Sequence, residues 1–272
     1  MNNRLFGLTL VSLGPLICCA DDAAIAFGGN PTILHRHPSI RMVSERVVIS
    51  VKSDRTVYDC QFVLHNSGKS CAVQVGFPDR GEDAYATGFS EDTAAAKSKN
   101  EKLPVFAELH DFRSKVDGAP VRTVLLPDRD EPASWHAKLV KFGAGQTRVL
   151  DEAFWVSAGG GITADGGSVR EARYVLDTGS SWAGKIGAVE VLLDLSQSGV
   201  QLPAKPIPLR RLAPDGSARS YDGWPKLPLG TVLWKGFTSP TVTPTGLRFF
   251  GKNLKPSIAD DLALDFGYKP AR

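Results

Sequence analysis

The sequence predicts an all-β protein, mainly an antiparallel β-sandwich of the immunoglobulin-like or a related type. Short stretches with alternating apolar side chains recur along the chain, and groups of Gly, Asn, Asp and Ser separate them. Helical periodicity is nearly absent. With 42% hydrophobic and 22% charged residues among 272, the chain has enough apolar surface for a substantial core.

The first twenty residues have the features of an export signal. Arg4 precedes an apolar stretch over 5–17, and the small residues that follow fit cleavage after Ala20. That stretch is too short for a hydrocarbon core of about 30 Å, and no other stretch is longer, so no transmembrane span is predicted. Cys18-Cys19 resembles a lipobox, which leaves a lipid-anchored form open as an alternative. The mature chain is therefore expected to be periplasmic or extracellular.

The mature chain reads as one strand after another. The alternating stretches form predicted hairpins or corners, which in chain order are 45–51 with 56–64, 105–116 with 121–126, 135–142 with 148–156, and 173–176 followed by 186–195. Asp117-Gly118 is a strong two-residue hairpin signal. A short helix is expected within 90–99, in a loop excursion.

The composition changes after residue 202. Nine of the 18 prolines lie between Pro203 and Pro256, and a Pro-rich segment cannot be a central strand because proline lacks a backbone donor. We expect a surface connection before the last strands, at 231–237, 246–250 and 262–266. Residues 21–272 are interpreted as one sandwich domain, and a smaller β subdomain over about 202–272 stays open as an alternative.

Two cysteines remain after removal of the signal. Cys60 and Cys71 each fall on the inward phase of an alternating stretch, and a turn composition at 65–69 lies between the two stretches. A hairpin would bring both sulfurs to the same side, so a structural disulfide is predicted, with two buried free thiols as the alternative. There is no C-x-x-C pattern to indicate a redox or metal role.

No catalytic residue, metal ligand or cofactor is predicted. His35 and His37 have no nearby acidic or thiol partner to complete a metal site. The Gly179-to-Gly184 segment has the wrong spacing for a nucleophile elbow, and Gly179, Trp182 and Gly184 are interpreted as a structural corner in which the Trp fills the sandwich. The net charge of +3 is too small and too evenly spread to indicate nucleic-acid binding.

Two aromatic residues are candidate ligand contacts. Tyr221 and Trp224 lie in a turn rich in Gly and Pro, where exposed aromatic rings can stack on sugar rings. Packing of Trp224 over the edge of the sandwich is the alternative interpretation.

The chain resembles an exported bacterial family, the domain of unknown function 4424. The resemblance rests on Tyr58-Asp-Cys-Gln-Phe62, on Gly76-Phe-Pro78, on Trp135-His136 with 142–147, and above all on the segment from Tyr174 to Gly187. It spans nearly the whole mature chain and implies an exported β-rich protein. It carries over no catalytic residues.

The function expected from these observations is a non-catalytic binding or structural module of the cell envelope, with an envelope protein or a polysaccharide as partner. One alternative is a carbohydrate-active or other hydrolytic enzyme with a site assembled from distant loops, whose candidate members are His110, His136, Asp128 and Asp130. A second alternative is an adhesion or assembly domain that pairs through a sheet edge.

Overall fold

The computed structural model describes residues 32–33, 37–80, 108–127, 133–162, 168–208 and 227–267. Within them the chain forms strands β1 (Thr32–Ile33), β2 (Ile40–Val51), β3 (Arg55–Asn66), β4 (Cys71–Arg80), β5 (His110–Val116), β6 (Ala119–Pro120), β7 (Val124–Pro127), β8 (Ala133–Phe142), β9 (Thr147–Ser157), β10 (Gly160–Ile162), β11 (Ser168–Tyr174), β12 (Ile186–Asp194), β13 (Lys205–Pro208), β14 (Thr231–Lys235), β15 (Thr241–Thr243), β16 (Gly246–Leu254) and β17 (Leu262–Gly267). Short 3-10 turns lie at Asp177–Ser181 and Ile258–Asp260. No helix in these ranges is long and apolar enough to cross a membrane.

The strands form one large sheet and two smaller ones. The large sheet has eight strands in the order β15-β16-β12-β2-β3-β9-β5-β6, and β12 and β2 are its parallel pair. The four-stranded sheet is β1-β4-β8-β7, and the five-stranded sheet is β10-β11-β17-β14-β13. The all-β sandwich prediction is confirmed.

The two smaller sheets cover one face of the eight-stranded sheet, side by side. Phe77 of β4 meets Phe154 of β9 with ring centroids 5.3 Å apart, and Trp234 of β14 meets Phe249 of β16 at 6.0 Å. Inward-facing side chains from all three sheets belong to one hydrophobic core. This leaves the other face of the eight-stranded sheet without a covering sheet among the described residues.

The local turns follow the sequence. β2 and β3 form the expected antiparallel meander in continuous register apart from a bulge after Met42. Asp117 and Gly118 both have positive φ, 51° and 79°, which is the conformation of a tight hairpin turn. The returning strand is the two-residue β6 and not the predicted stretch 121–126, because the chain then crosses to the four-stranded sheet, where β7 pairs with β8.

Two predicted hairpins are wrong. Strands β8 and β9 have the expected bounds, but β8 pairs with β4 and β7 while β9 pairs with β3 and β5. The turn between them therefore links the two layers of the sandwich. The same is true of β3 and β4, which also lie in different sheets.

The predicted disulfide is corrected by this topology, since Cys60 and Cys71 are free thiols. Both do lie on the inward phase, but Cys60 is in the middle of β3 whereas Cys71 is the first residue of β4. Six residues separate Cys60 from the end of its strand, or about 20 Å at the rise of a β-strand. A disulfide needs Cα atoms within about 7 Å.

The chain after residue 202 is built into both layers. β13, inside the Pro-rich segment, is an edge strand beside β14, where the lack of proline donors is tolerated. β14 and β17 extend the five-stranded sheet, and β16 joins the eight-stranded one. The helix expected within 90–99 lies outside the described residues.

Candidate functional site

Charged groups inside the sandwich are paired, although Glu152 Oε2 makes no hydrogen bond with a described residue. Lys138 of β8 and Glu152 of β9 make an ion pair across the two layers, and both side chains are fully buried. Ser114 Oγ adds a hydrogen bond to Glu152 Oε1 at 3.4 Å. Burial raises the pKa of Glu152 even though Lys138 and Ser114 act in the opposite direction. No solvent-facing group takes part, so this pair has the character of a structural contact.

His136 contacts a buried carboxylate. Its Nε2 lies 3.1 Å from Asp79 Oδ2, and the Asp79 side chain has no exposed area. The Asp79 carboxylate also accepts hydrogen bonds from the backbone N–H groups of Glu108 at 3.0 Å and Leu109 at 3.4 Å. Phe112 stacks on the imidazole with ring centroids 3.9 Å apart. The carboxylate is thus engaged in fixing the chain at 108–109, and Phe112 covers one face of the ring.

A third set of buried polar side chains lies around Cys60. Tyr174 Oη donates to Glu45 Oε1 at 2.8 Å, and Tyr58 Oη donates to the carbonyl of Arg173 at 2.9 Å. Burial raises the pKa of Cys60 well above its usual value, and the carboxylates of Glu45 and Glu152 add to the effect. Burial also raises the pKa of Tyr174. The thiol is held protonated, which does not suit a nucleophile.

The uncovered face of the eight-stranded sheet carries a depression of about 320 Å³, here called the outer groove. It crosses four adjacent strands, β2, β3, β9 and β5. Its polar lining comes from Arg46, Asp59, Gln61, Arg113, Lys115 and Asp151. Ala153 lies at its centre, because the register places it opposite Asp59 on one side and Arg113 on the other.

Several of these side chains already have partners. Gln61 Nε2 donates to Asp151 Oδ1 at 3.0 Å, and Arg46 Nε lies 3.2 Å from Glu190 Oε2. Lys115 is opposite Asp151 in register. By contrast, the side chains of Asp59, Arg113 and Lys115 make no hydrogen bond or ion pair with any residue that the structure describes. One open charge of each sign therefore flanks Ala153.

An apolar depression of about 420 Å³ adjoins the outer groove and shares Arg113 with it. Its other lining residues are Val57, Asp111, Phe112, Phe154 and Trp155. His110 stacks on Trp155 with centroids 4.0 Å apart, and the Arg55 guanidinium lies 4.5 Å from the indole centroid. The indole N–H donates to Asp111 Oδ2 at 2.7 Å. These contacts hold Trp155 in one orientation.

A β-bulge shapes this end of the sheet. The register of β5 against β9 shifts between His110 and Arg113, and Asp111 has a positive φ of 51°. Bulges bend a strand and redirect side chains, and they occur next to functional sites. Here the bulge lets Asp111 reach the Trp155 N–H while Phe112 turns inward onto His136.

The structure disperses the residues that the sequence analysis named. His110 lies on the outer face and His136 inside the sandwich, so these two candidate members of an enzyme site are on opposite faces of the fold. Asp128, Asp130, Tyr221, Trp224 and His35 lie outside the described residues. His37 Nδ1 is 3.1 Å from Ser39 Oγ. In the described ranges no three His, Cys, Asp or Glu side chains are grouped to hold a metal ion.

Gly179, Trp182 and Gly184 lie at the connection between β11 and β12. Gly179 is in the 3-10 turn, and the Trp182 ring is 4% exposed within the core. Gly184 has a φ of 74°, which favours glycine. Ala183, which precedes Gly184, donates its N–H to the carbonyl of Ile40 at 2.8 Å, and this hydrogen bond connects the corner to β2.

Sequence reasoning missed the outer groove. Asp59 and Gln61 on β3, and Arg113 and Lys115 on β5, have the two-residue spacing of outward side chains, which the sequence does show. Their convergence depends on β9 lying between β3 and β5, and that neighbour relation was the part of the topology that the sequence did not reveal.

No family model matches the chain, and no curated protein matches it either. Its fold is similar to the crystal structure of a candidate nutrient binding protein from Legionella pneumophila, with a TM-score of 0.56 and 19% identity over 90% of this chain and 72% of that one. An M1 zinc metallopeptidase from Deinococcus radiodurans aligns over 85% of this chain and 43% of its own, at 10% identity and a TM-score of 0.35. The first similarity shows a shared fold, and the second is too remote to carry an argument.

Proposed function

We propose that this protein is an exported, non-catalytic binding module of the bacterial envelope, and that its ligand binds on the outer face of the eight-stranded sheet. The observation that carries the proposal is the outer groove, in which Asp59 and Arg113 face solvent without an ion-pair partner among the described residues. Charged groups left open in a depression are available to fix the orientation of a polar ligand.

The non-catalytic part of the proposal rests on the interior. The His136 and Asp79 pair is the arrangement closest to an acid–base site, but Asp79 is occupied by two backbone donors and Phe112 stacks on the imidazole. A general base needs access to a substrate proton within hydrogen-bond reach. The protein from Legionella pneumophila that shares this fold is named for nutrient binding, and we extend that class of role to the present chain.

Export is supported by the charge and hydropathy pattern of residues 1–20 and by the family resemblance. Mass spectrometry of the mature N-terminus tests it. A chain that begins at Asp21 supports export with signal cleavage, and one that begins at a lipidated Cys19 supports export with a lipid anchor. An unprocessed Met1 would overturn the exported location.

Thermal unfolding in the presence of small ligands tests the binding function. The ligands are free amino acids, dicarboxylates and oligosaccharides, and a ligand that binds the native state raises Tm. We expect a rise for at least one class in the wild type and its loss in the Arg113→Gln variant. Arg122→Gln is the matched control, since Arg122 is an exposed arginine outside the groove. If no class raises Tm, or if Arg113→Gln leaves the rise intact, the proposed site is wrong.

A further inference from the structure

We infer that the outer groove binds a free α-amino acid with an apolar side chain, holding its ammonium group at Asp59 and its carboxylate at Arg113. This inference rests on the proposed binding function and names the ligand class. It follows from three observations: the placement of two opposite charges, their availability, and the apolar depression beside one of them.

The sheet register sets the spacing of the two charges. Asp59, Ala153 and Arg113 lie in one row across β3, β9 and β5. Neighbouring strands are about 4.8 Å apart, so the Cα atoms of Asp59 and Arg113 are separated by about 10 Å. Only the methyl group of Ala153 lies between them. The short aspartate and the long arginine can therefore approach a small molecule from opposite sides, with Ala153 as the floor.

Asp59 and Arg113 are open charges of opposite sign, and Lys115 of the adjacent row is a further open cation among the described residues. In the adjacent row, Gln61 already donates to Asp151, and Arg46 is already paired with Glu190. A simple anion would be attracted to Arg113 but repelled by Asp59, and a simple cation would meet the reverse. A zwitterion satisfies both groups, and its carboxylate suits the planar fork of a guanidinium.

The apolar depression determines the orientation in which the ligand binds. It shares Arg113 with the outer groove, and Val57 and Trp155 supply its apolar wall on the outer face, because the Phe154 ring points into the core. A molecule whose carboxylate is fixed at Arg113 can thus place an apolar side chain there.

This geometry favours an amino acid over a saccharide. Arg55 of β3 and His110 of β5 both lie against the Trp155 ring. A sugar ring would have to displace one of these groups in order to stack on the indole.

Isothermal titration calorimetry with L-leucine tests the inference. The wild type is expected to bind L-leucine, and leucinamide and N-acetyl-leucine, which each lack one charge, are expected to bind about tenfold to a hundredfold more weakly. Asp59→Asn should weaken L-leucine binding by a similar factor but should not weaken the binding of N-acetyl-leucine, an anion that Asp59 repels. Arg113→Gln should weaken L-leucine binding but should not weaken the binding of leucinamide, a cation that Arg113 repels. Arg122→Gln is the control, and circular dichroism checks that each variant is folded.

Two results separate the ligand class from the binding function. If maltotriose or succinate binds in an Arg113-dependent way and L-leucine does not, the amino-acid inference is overturned and the binding function stands. If none of these three ligands binds the wild type, both fail. Equal affinity for L-leucine and N-acetyl-leucine would overturn the role of Asp59 alone.

Discussion

The two faces of the eight-stranded sheet treat charged side chains differently. On the inner face, Glu152 is fully buried and paired with Lys138 from the opposite layer. On the outer face of the same sheet, Asp59 and Arg113 are exposed. Residue type alone thus does not distinguish a charge that the fold pairs from one that it leaves open. What distinguishes them is whether the fold already supplies a partner.

The largest effect is expected from breaking the inner pair. Lys138→Met leaves Glu152 as an unpaired buried acid and should lower the free energy of unfolding by about 3–5 kcal/mol. Replacing both residues, as Lys138→Met with Glu152→Leu, should recover most of that loss. Urea unfolding measures both, and Lys141→Met, at an exposed position of the same strand, is the control. A single variant as stable as the control would contradict the structural role of the pair.

The next effect compares a buried aspartate of the four-stranded sheet with an exposed aspartate on the outer face of the eight-stranded sheet. Asp79→Asn weakens the charge-assisted hydrogen bonds to His136 and to the backbone at 108–109, and should cost about 1.5–3 kcal/mol. Asp59→Asn makes the same chemical change on the outer face and should stay within about 0.5 kcal/mol of the wild type. Equal losses in urea unfolding would show that the interior of the sandwich and the outer face do not differ as described.

The pH dependence of stability offers a smaller but distinct test. Burial raises the pKa of Glu152 above its ordinary value of 4.5, so the native state binds this proton more tightly than the unfolded chain. The contribution is fully present below pH 4.5 and is lost as pH rises through the higher folded pKa. The double variant lacking Glu152 should not show this decline. The free energy of unfolding is measured from pH 4 to pH 8 for the wild type and the double variant. Identical slopes against pH for the two proteins would contradict the raised pKa of Glu152.

The smallest effect is expected at the outer ion pairs. Glu190 lies between Arg46 and Arg248, at 3.2 Å and 2.7 Å, with both arginines substantially exposed. Glu190→Ala should lower the free energy of unfolding by less than about 1 kcal/mol, and the difference from the wild type should shrink at high salt. A loss as large as that of Lys138→Met would remove the contrast between the faces.

Side-chain parity was predictable from the sequence, and pairing between distant strands was not. The alternation in β3 correctly placed Tyr58, Cys60 and Phe62 inward. The disulfide nevertheless failed, because it required β3 and β4 to form a hairpin, and a turn of Gly, Asn and Ser serves equally well to cross between layers. The same limit applies to Asp59 and Arg113. The alternation in the sequence predicts that both side chains point outward, but that they lie in one row across the sheet depends on the position of β9 between β3 and β5.

The parallel pairing of β2 with β12 has a consequence for how the molecule folds. Arg46 and Glu190 are neighbours across this pair yet lie 144 residues apart in the chain. Contacts of such high sequence separation slow folding, because the loop between them must be closed before the pairing contributes any stability. β2 can pair early with the adjacent β3, but its other edge stays unpaired until β12 has been synthesised and has docked beside it. During that interval the unpaired edge of the strand Ile40–Val51 can pair with other chains, which exposes the folding intermediate to aggregation.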